Sequence, residues 1–197
     1  MSTSLLYHAF RIRGYKFVRS FFDRGRIIFR ARQERHQLRC PVCRSRRINL
    51  KGSIKRTFGY APIVFKPVFI EFAIPRIECL DCGVIRQVKL GFADERRSYT
   101  RQFERLALGL CCHMTIKDVA NFLSVSWDTI KEIQKRYLKR RFSRPSLKGI
   151  KRLAIDEIYI GSKEKYLTIV MDLDRGAVVF VSEGKGGDAL VPFLEAP

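Results

Sequence analysis

The spacing of apolar side chains changes twice along this chain. Residues 15–22 and 26–32 mix β-forming apolar and charged positions around Asp23-Arg24-Gly25, the pattern of a β-hairpin with glycine at its turn. Residues 63–77 hold Val64, Phe65, Val68, Phe69, Ile70, Phe72 and Ile74 among Pro62, Pro67 and Pro75. Proline cannot donate to a β-ladder, so strands here are expected to be short or to lie at an edge. Residues 87–92 continue as a strand, and 93–98 read as a polar connection.

From Thr100 the period becomes helical. Phe103, Leu106, Ala107 and Leu110 fall on one helix face behind Thr100, a suitable N-cap. A second helix is expected from Thr115, with Asp118 three residues on, and a third from Ser126 through Arg141. Ser143, Pro145 and Gly149 mark a linker. Strands return at 152–161, 165–173 and 177–182, with Asp174-Arg175-Gly176 turning the second into the third.

Residues 116–135 fit a helix-turn-helix. Ile116, Val119, Leu123, Val125, Ile130 and Ile133 supply the inward positions, and Ala120 is small where two helices must approach. In such motifs the start of the second helix faces base edges in the major groove. Here that helix offers Ser126, Trp127, Thr129 and Lys131, then Lys135, Arg136, Lys139, Arg140 and Arg141, whose long basic side chains suit phosphates. An ordinary three-helix bundle with a solvated face, and Trp127 packed upon it, is the alternative.

Charge sharpens this picture. Lys and Arg number 39 against 19 acids, a formal charge of +20, so a polyanionic partner is expected. The excess is uneven: residues 1–39 hold ten Lys/Arg and two acids, and residues 131–152 hold ten and one. Nucleic acid explains such clustering better than an anionic membrane. No apolar run of about 18 residues is present to span a bilayer, and the cytosol is the expected compartment.

The cysteines add a metal. Cys40-Pro-Val-Cys43 and Cys79-Leu-Asp-Cys82-Gly83 are two C-x-x-C pairs, a spacing that suits a tetrahedral structural zinc in a ribbon. Two disulfides or a redox pair are the other readings. Cys111 and Cys112, beside Leu106, Leu108 and Leu110, are expected to be core thiols, with His113 a helix-end residue. Asp156 sits in Leu153-Ala154-Ile155-Asp156-Glu157-Ile158-Tyr159, an otherwise apolar strand where burial of a carboxylate would need a metal or cation. A solvent-facing edge strand is the simpler account.

Cys-Pro-x-Cys, Cys-x-x-Cys-Gly, the helix-turn-helix and Ala154-Ile155-Asp156-Glu157, in this order, resemble the DDE transposases of zinc-ribbon insertion sequences (the group written IS-L-three). The resemblance implies an α+β multidomain chain. Its parts would be a β-rich zinc ribbon over residues 1–95, a three-helix helix-turn-helix domain over 98–142, a linker at 143–151 and the start of a truncated ribonuclease-H-like domain over 152–197. It further implies zinc on Cys40, Cys43, Cys79 and Cys82. Asp156 would be the first acid of a metal triad that takes Mg or Mn once completed; Asp172, Asp174 and Asp188 are candidates by residue type alone. Implied partners are the terminal inverted repeats of transposon DNA and a second copy or full-length transposase, at the bacterial nucleoid. A non-catalytic DNA-binding protein or transposition inhibitor is the alternative function.

Overall fold

The computed structural model describes residues 5–142, 147–161 and 165–195. The chain divides into two compact units, Met1–Lys135 and Arg136–Pro197.

The first unit is built on a five-stranded sheet in the order β1-β2-β4-β3, with β5 also paired to β4. Strands β1 (Tyr15–Asp23) and β2 (Arg26–Gln33) form the expected hairpin. Arg24 and Gly25 close it at φ 45° and 76°, both positive as a two-residue type I′ turn demands. From β2 the chain crosses over, so that β2 pairs with β4 (Lys66–Cys79) in parallel. Strand β3 (Ile48–Ile63) and the short β5 (Ile85–Gln87) pair with β4 antiparallel.

The prolines do not shorten these strands. β3 runs for 16 residues and β4, at the centre of the sheet, for 14. Each proline sits where the ladder needs no donor. Pro67 precedes the first β2 pair at Val68 and faces a register shift in β3 between Tyr60 and Ile63. Pro75 lies between the last β2 pair at Phe72 and the first β5 pair at Arg76, near the β3 shift between Leu50 and Ser53. The expectation of short or edge strands is corrected because strand ends and bulges absorb the missing N–H groups.

Alternate β4 residues Val68, Ile70, Phe72 and Ile74 are buried, and the alternation resumes at Ile77 and Cys79. Leu6, Phe10 and Ile12 join them from a segment that begins with α1 (Leu5–His8). Phe10 packs on Phe29 and Tyr60 at centroid distances of 4.9 and 4.7 Å, and Tyr15 and Phe58 pack edge-on against Phe92. Residues 88–92 are not a strand: β5 ends at Gln87, and Val88 and Phe92 instead turn inward to the core.

Three helices follow. Thr100 caps α2 (Arg101–Leu110), its hydroxyl accepting from Phe103 N at 3.2 Å. Thr115 caps α3 (Ile116–Leu123) through Asp118 N, and its own hydroxyl donates to the Asp118 carboxylate at 2.6 Å. Ser126 accepts from Thr129 N at the start of α4 (Trp127–Phe142). Phe103, Ala107, Val119, Ala120, Leu123, Ile130 and Ile133 form a second core. Gly59 of β3 ties the helices to the sheet, donating to Ser98 O at 2.8 Å and accepting from Thr100 N at 2.9 Å. The expectation of two core thiols is half corrected. Because α2 ends at Leu110, Cys111 is a half-buried cap residue and Cys112 is exposed, as is His113.

The second unit contains a three-stranded antiparallel meander, β6 (Leu153–Tyr159), β7 (Tyr166–Asp172) and β8 (Ala177–Glu183), and a short α5 (Val191–Leu194). Thr168, Val170 and Asp172 alternate inward along central β7. Linker residues Ser143 and Pro145 lie outside the described residues.

Candidate metal centre and nucleic-acid interface

The sheet delivers both cysteine pairs to one place. Cys40 follows β2 through a short turn, Cys79 ends β4, and β3 starts opposite Cys79, with Ile48 as its partner. The two loops repeat one hydrogen-bond pattern. Cys40 N donates to Ser45 O and Arg44 N to Cys40 O; Cys79 N donates to Val84 O and Gly83 N to Cys79 O. Arg44 and Gly83 occupy the same left-handed position, at φ 64° and 69°. Leu80 N on Arg47 O, with Asp81 accepting from Ser45 Oγ and from Arg47 Nη1 at 2.9 Å, joins loop to loop.

All four sulfurs lie within 4.8 Å of one another. Cys40 and Cys82 are 3.6 Å apart, Cys43 and Cys79 3.5 Å. A tetrahedral Zn–S₄ centre with Zn–S of about 2.3 Å needs sulfur separations of about 3.8 Å, so the residues fit that ion. Electrostatics point the same way. Burial pushes the Cys40 thiol up, but amides of Cys43 and Val42 and the neighbouring thiols outweigh it and bring it down to about 6. A Ser45 amide favours the Cys43 thiolate, yet sulfurs of Cys79, Cys82 and Cys40 push it up to about 12. Four thiolates so close repel one another unless a cation sits among them.

The helix-turn-helix takes its shape from α3 and α4. Ser124, at φ 54°, reverses the chain, and half-buried Val125 seals the gap as its N–H donates to Ala120 O. Ile130 and Ile133 are fully buried, which turns the opposite face of α4 to solvent. Trp127 is 45% exposed, with the Lys131 ammonium 4.6 Å from its ring centroid. The tryptophan is therefore partly exposed, with a cation against its ring. Ser126 and Thr129 hydroxyls lie 2.9 Å apart and serve the helix start. Lys135, Lys139, Arg140 and Arg141 are exposed further along α4, and Arg136 is half-buried.

A cluster that sequence reasoning missed lies beside the first cysteine loop. A cavity of about 600 Å³ has the cations of Arg56, Arg76, Arg86, Lys89 and Arg96 in its lining, against the carboxylates of Asp94 and Glu95. Arg56 is committed to Arg97 O, and Lys89 pairs with Glu95. Arg76, Arg86 and Arg96 make no ion pair among the described residues. Arg76 and Arg86 come from the paired strands β4 and β5, and Arg96 from the connection that follows. No contiguous motif announces them.

Asp156 is not buried. Edge strand β6 is exposed along most of its length, and the Asp156 carboxylate accepts from its neighbour Glu157 N. The burial argument for a metal at this position is thus corrected. Asp172 is the carboxylate buried among these strands, 1% exposed; it accepts from Asp174 N and Arg175 N and shapes the β7–β8 turn. Asp174 is engaged by Arg152, and Glu157 accepts from Gly186 N. Among the described residues, Cys40, Cys43, Cys79 and Cys82 form the one group of three or more metal-ligating side chains.

Residues 36–82 match the family model for the zinc-finger of transposase IS204/IS1001/IS1096/IS1165, and residues 88–138 that for the helix-turn-helix domain of transposase family ISL3. This chain resembles the N-terminal part of ISL3-family transposases. The transposase for insertion sequence element IS1001 of Bordetella parapertussis is 24% identical over 156 residues, 79% of this chain and 38% of that protein. The transposase for insertion sequence element IS1557 of Mycobacterium tuberculosis is 27% identical over 132 residues, 66% of this chain and 29% of that protein. The matched region thus spans well under half the length of these relatives. No solved structure matches it. No helix of the described residues is long and apolar enough to cross a membrane.

Proposed function

We propose that this chain is the DNA-binding part of an insertion-sequence transposase and grips the terminal inverted repeats of its element. The single observation that supports this most is Trp127 held exposed beside Lys131 at the start of α4, on a helix whose other face is locked by Ile130 and Ile133. An aromatic ring and an ammonium there meet base edges and sugars; Lys135, Arg136, Lys139, Arg140 and Arg141 neutralise phosphates. Because the Ser126 and Thr129 hydroxyls already partner each other, they set the start of the helix, and base contact falls to Trp127 and Lys131.

Cys40, Cys43, Cys79 and Cys82 would hold a structural zinc, which supplies folding free energy when bound. Its role is to fix the cationic groove of Arg76, Arg86 and Arg96 as a second phosphate-binding surface. Strand cleavage by a DDE mechanism belongs to this reading through the β6-β7-β8 meander, taken as the opening of a ribonuclease-H-like sheet with Asp156 as its first acid and Mg or Mn as the catalytic ions. A non-catalytic DNA-binding role, as a binding subunit or transposition inhibitor, is the second reading, favoured because Asp172 and Asp174 are engaged in shaping the β7–β8 turn. Mobility shift of duplexes carrying insertion-sequence ends tests the proposal. A shift is expected whose affinity falls steeply with salt; failure to shift such duplexes or random ones at low salt would refute it.

A further inference from the structure

The end of the sheet remote from the cysteines carries two hairpin tips side by side. Strand β2 pairs in parallel with β4, Ile27 opposite Val68, so the Arg24-Gly25 turn and the Val64-Phe65 turn project from the same end. About 40 Å of β4 separates this end from Cys79, more than one turn of duplex DNA. At the tips Phe22 is 74% exposed, Val64 78% and Phe65 83%. Val64 sits at φ 59°, a left-handed conformation that a β-branched residue adopts only at a steric cost. Glycine or asparagine would close the turn without that strain. The fold gains nothing by holding these apolar side chains in water, which makes them candidates for contact with something else. Arg24, Arg26 and Lys66 surround them, against the single carboxylate of Asp23.

We propose that the paired tips form a wedge that enters duplex DNA, Phe22 and Phe65 partly unstacking a base step while Arg24, Arg26 and Lys66 hold the flanking phosphates. Apolar side chains inserted in this way kink a duplex, most cheaply at flexible TA steps. A second copy of the chain is the poorer occupant, because a symmetric contact would set three cations against their own equivalents. A membrane is also poorer, since three side chains bury too little apolar area for stable anchoring. The wedge rests on the DNA-binding function proposed above and adds a second mode of contact to it.

The test uses the full chain and a duplex of alternating TA steps with 2-aminopurine in place of some adenines, labelled at both ends for energy transfer. Saturating protein is expected to raise the 2-aminopurine fluorescence and to shorten the end-to-end distance. The F22S/F65S variant should keep its zinc content and still shift the duplex, with affinity lowered about 10-fold and both optical signals lost. V64G, which relieves the turn, should retain them. A shift without unstacking or bending by the unmodified chain, or F22S/F65S signals equal to those of the unmodified chain, would overturn the wedge and leave DNA binding standing. Phosphatidylserine vesicles bound in a Phe22- and Phe65-dependent way, with DNA signals unaltered, would reassign the tips to lipid. Absence of any shift removes the DNA-binding function and the wedge together.

Discussion

The Sγ atoms of Cys43 and Cys79 lie 3.5 Å apart, although 36 residues separate them in sequence. Between them run the whole of β3 and β4, the longest strands in the molecule. Clamping the two loops therefore closes a long β-hairpin at its open end, far from its turn.

Zinc removal should melt this sheet. Structural zinc contributes an apparent ~10–16 kcal/mol, comparable with or above the whole stability of a typical domain. Purified protein is expected to carry one zinc per chain by elemental analysis, and Cys79→Ser to carry none. In hydrogen exchange the β4 amides of the variant should lose protection, while those around Ile130 and Ile133, which have their own core, keep it. Full protection of β4 in a zinc-free variant would contradict the assignment.

Trp127 is the one tryptophan of the chain, so its fluorescence reports on α4 directly. Duplex DNA should quench or shift that emission. Trp127→Ala should weaken DNA binding while thermal unfolding moves by no more than ~0.5 kcal/mol, the ordinary range for exposed positions. A large loss of stability would show instead that the ring packs on the bundle.

The cationic groove makes a separate prediction. R76Q/R86Q/R96Q should leave zinc content unchanged and reduce the slope of log affinity against log salt by about 2.7, close to 0.9 for each phosphate no longer neutralised. An unchanged slope would remove this groove from the interface. Lys135→Gln should lower the same slope by about one.

Core packing holds α4 in place. Ile133 is fully buried, and Ile133→Ala should cost about 2–5 kcal/mol by chemical denaturation. Thr115→Ala, which removes only the α3 cap, should cost about 1 kcal/mol.

Alkaline pH should loosen the β unit. Burial raises the Tyr15 hydroxyl above its ordinary 10.0, against a hydrogen bond from Gly91 N that favours the phenolate. The folded state thus holds this proton more tightly than the unfolded chain does. Its stabilising share is complete below the unfolded value and is lost as pH rises through the raised one. Tyr15→Phe should flatten the fall in stability above about pH 10, followed by denaturant midpoint against pH.

The chain's local chemistry was legible in one dimension. Thr100 and Thr115 cap the helices they are expected to start, and Ser126, expected only as a helix start, caps the third, because capping involves residues only three apart. Arg24-Gly25 makes its turn for the same reason, and the two C-x-x-C pairs announce a metal because ligand spacing within each loop is short-range. Register and burial were not legible. Pro67 and Pro75 looked like strand breakers until the pairing of β4 with three partners showed which amides were not needed. Asp156 among apolar neighbours left a buried carboxylate and a solvent-facing edge strand both open, and the sheet order decides for the edge, where such neighbours stay wet. The two hairpin tips are brought together by the long-range pairing of β2 with β4, which leaves no pattern along the sequence. The sequence alone determined which residues turn, which cap and which thiols pair by spacing, since those forces act over a few bonds. Tertiary structure alone decided which side chains meet and which face water, since that depends on what the other strands cover.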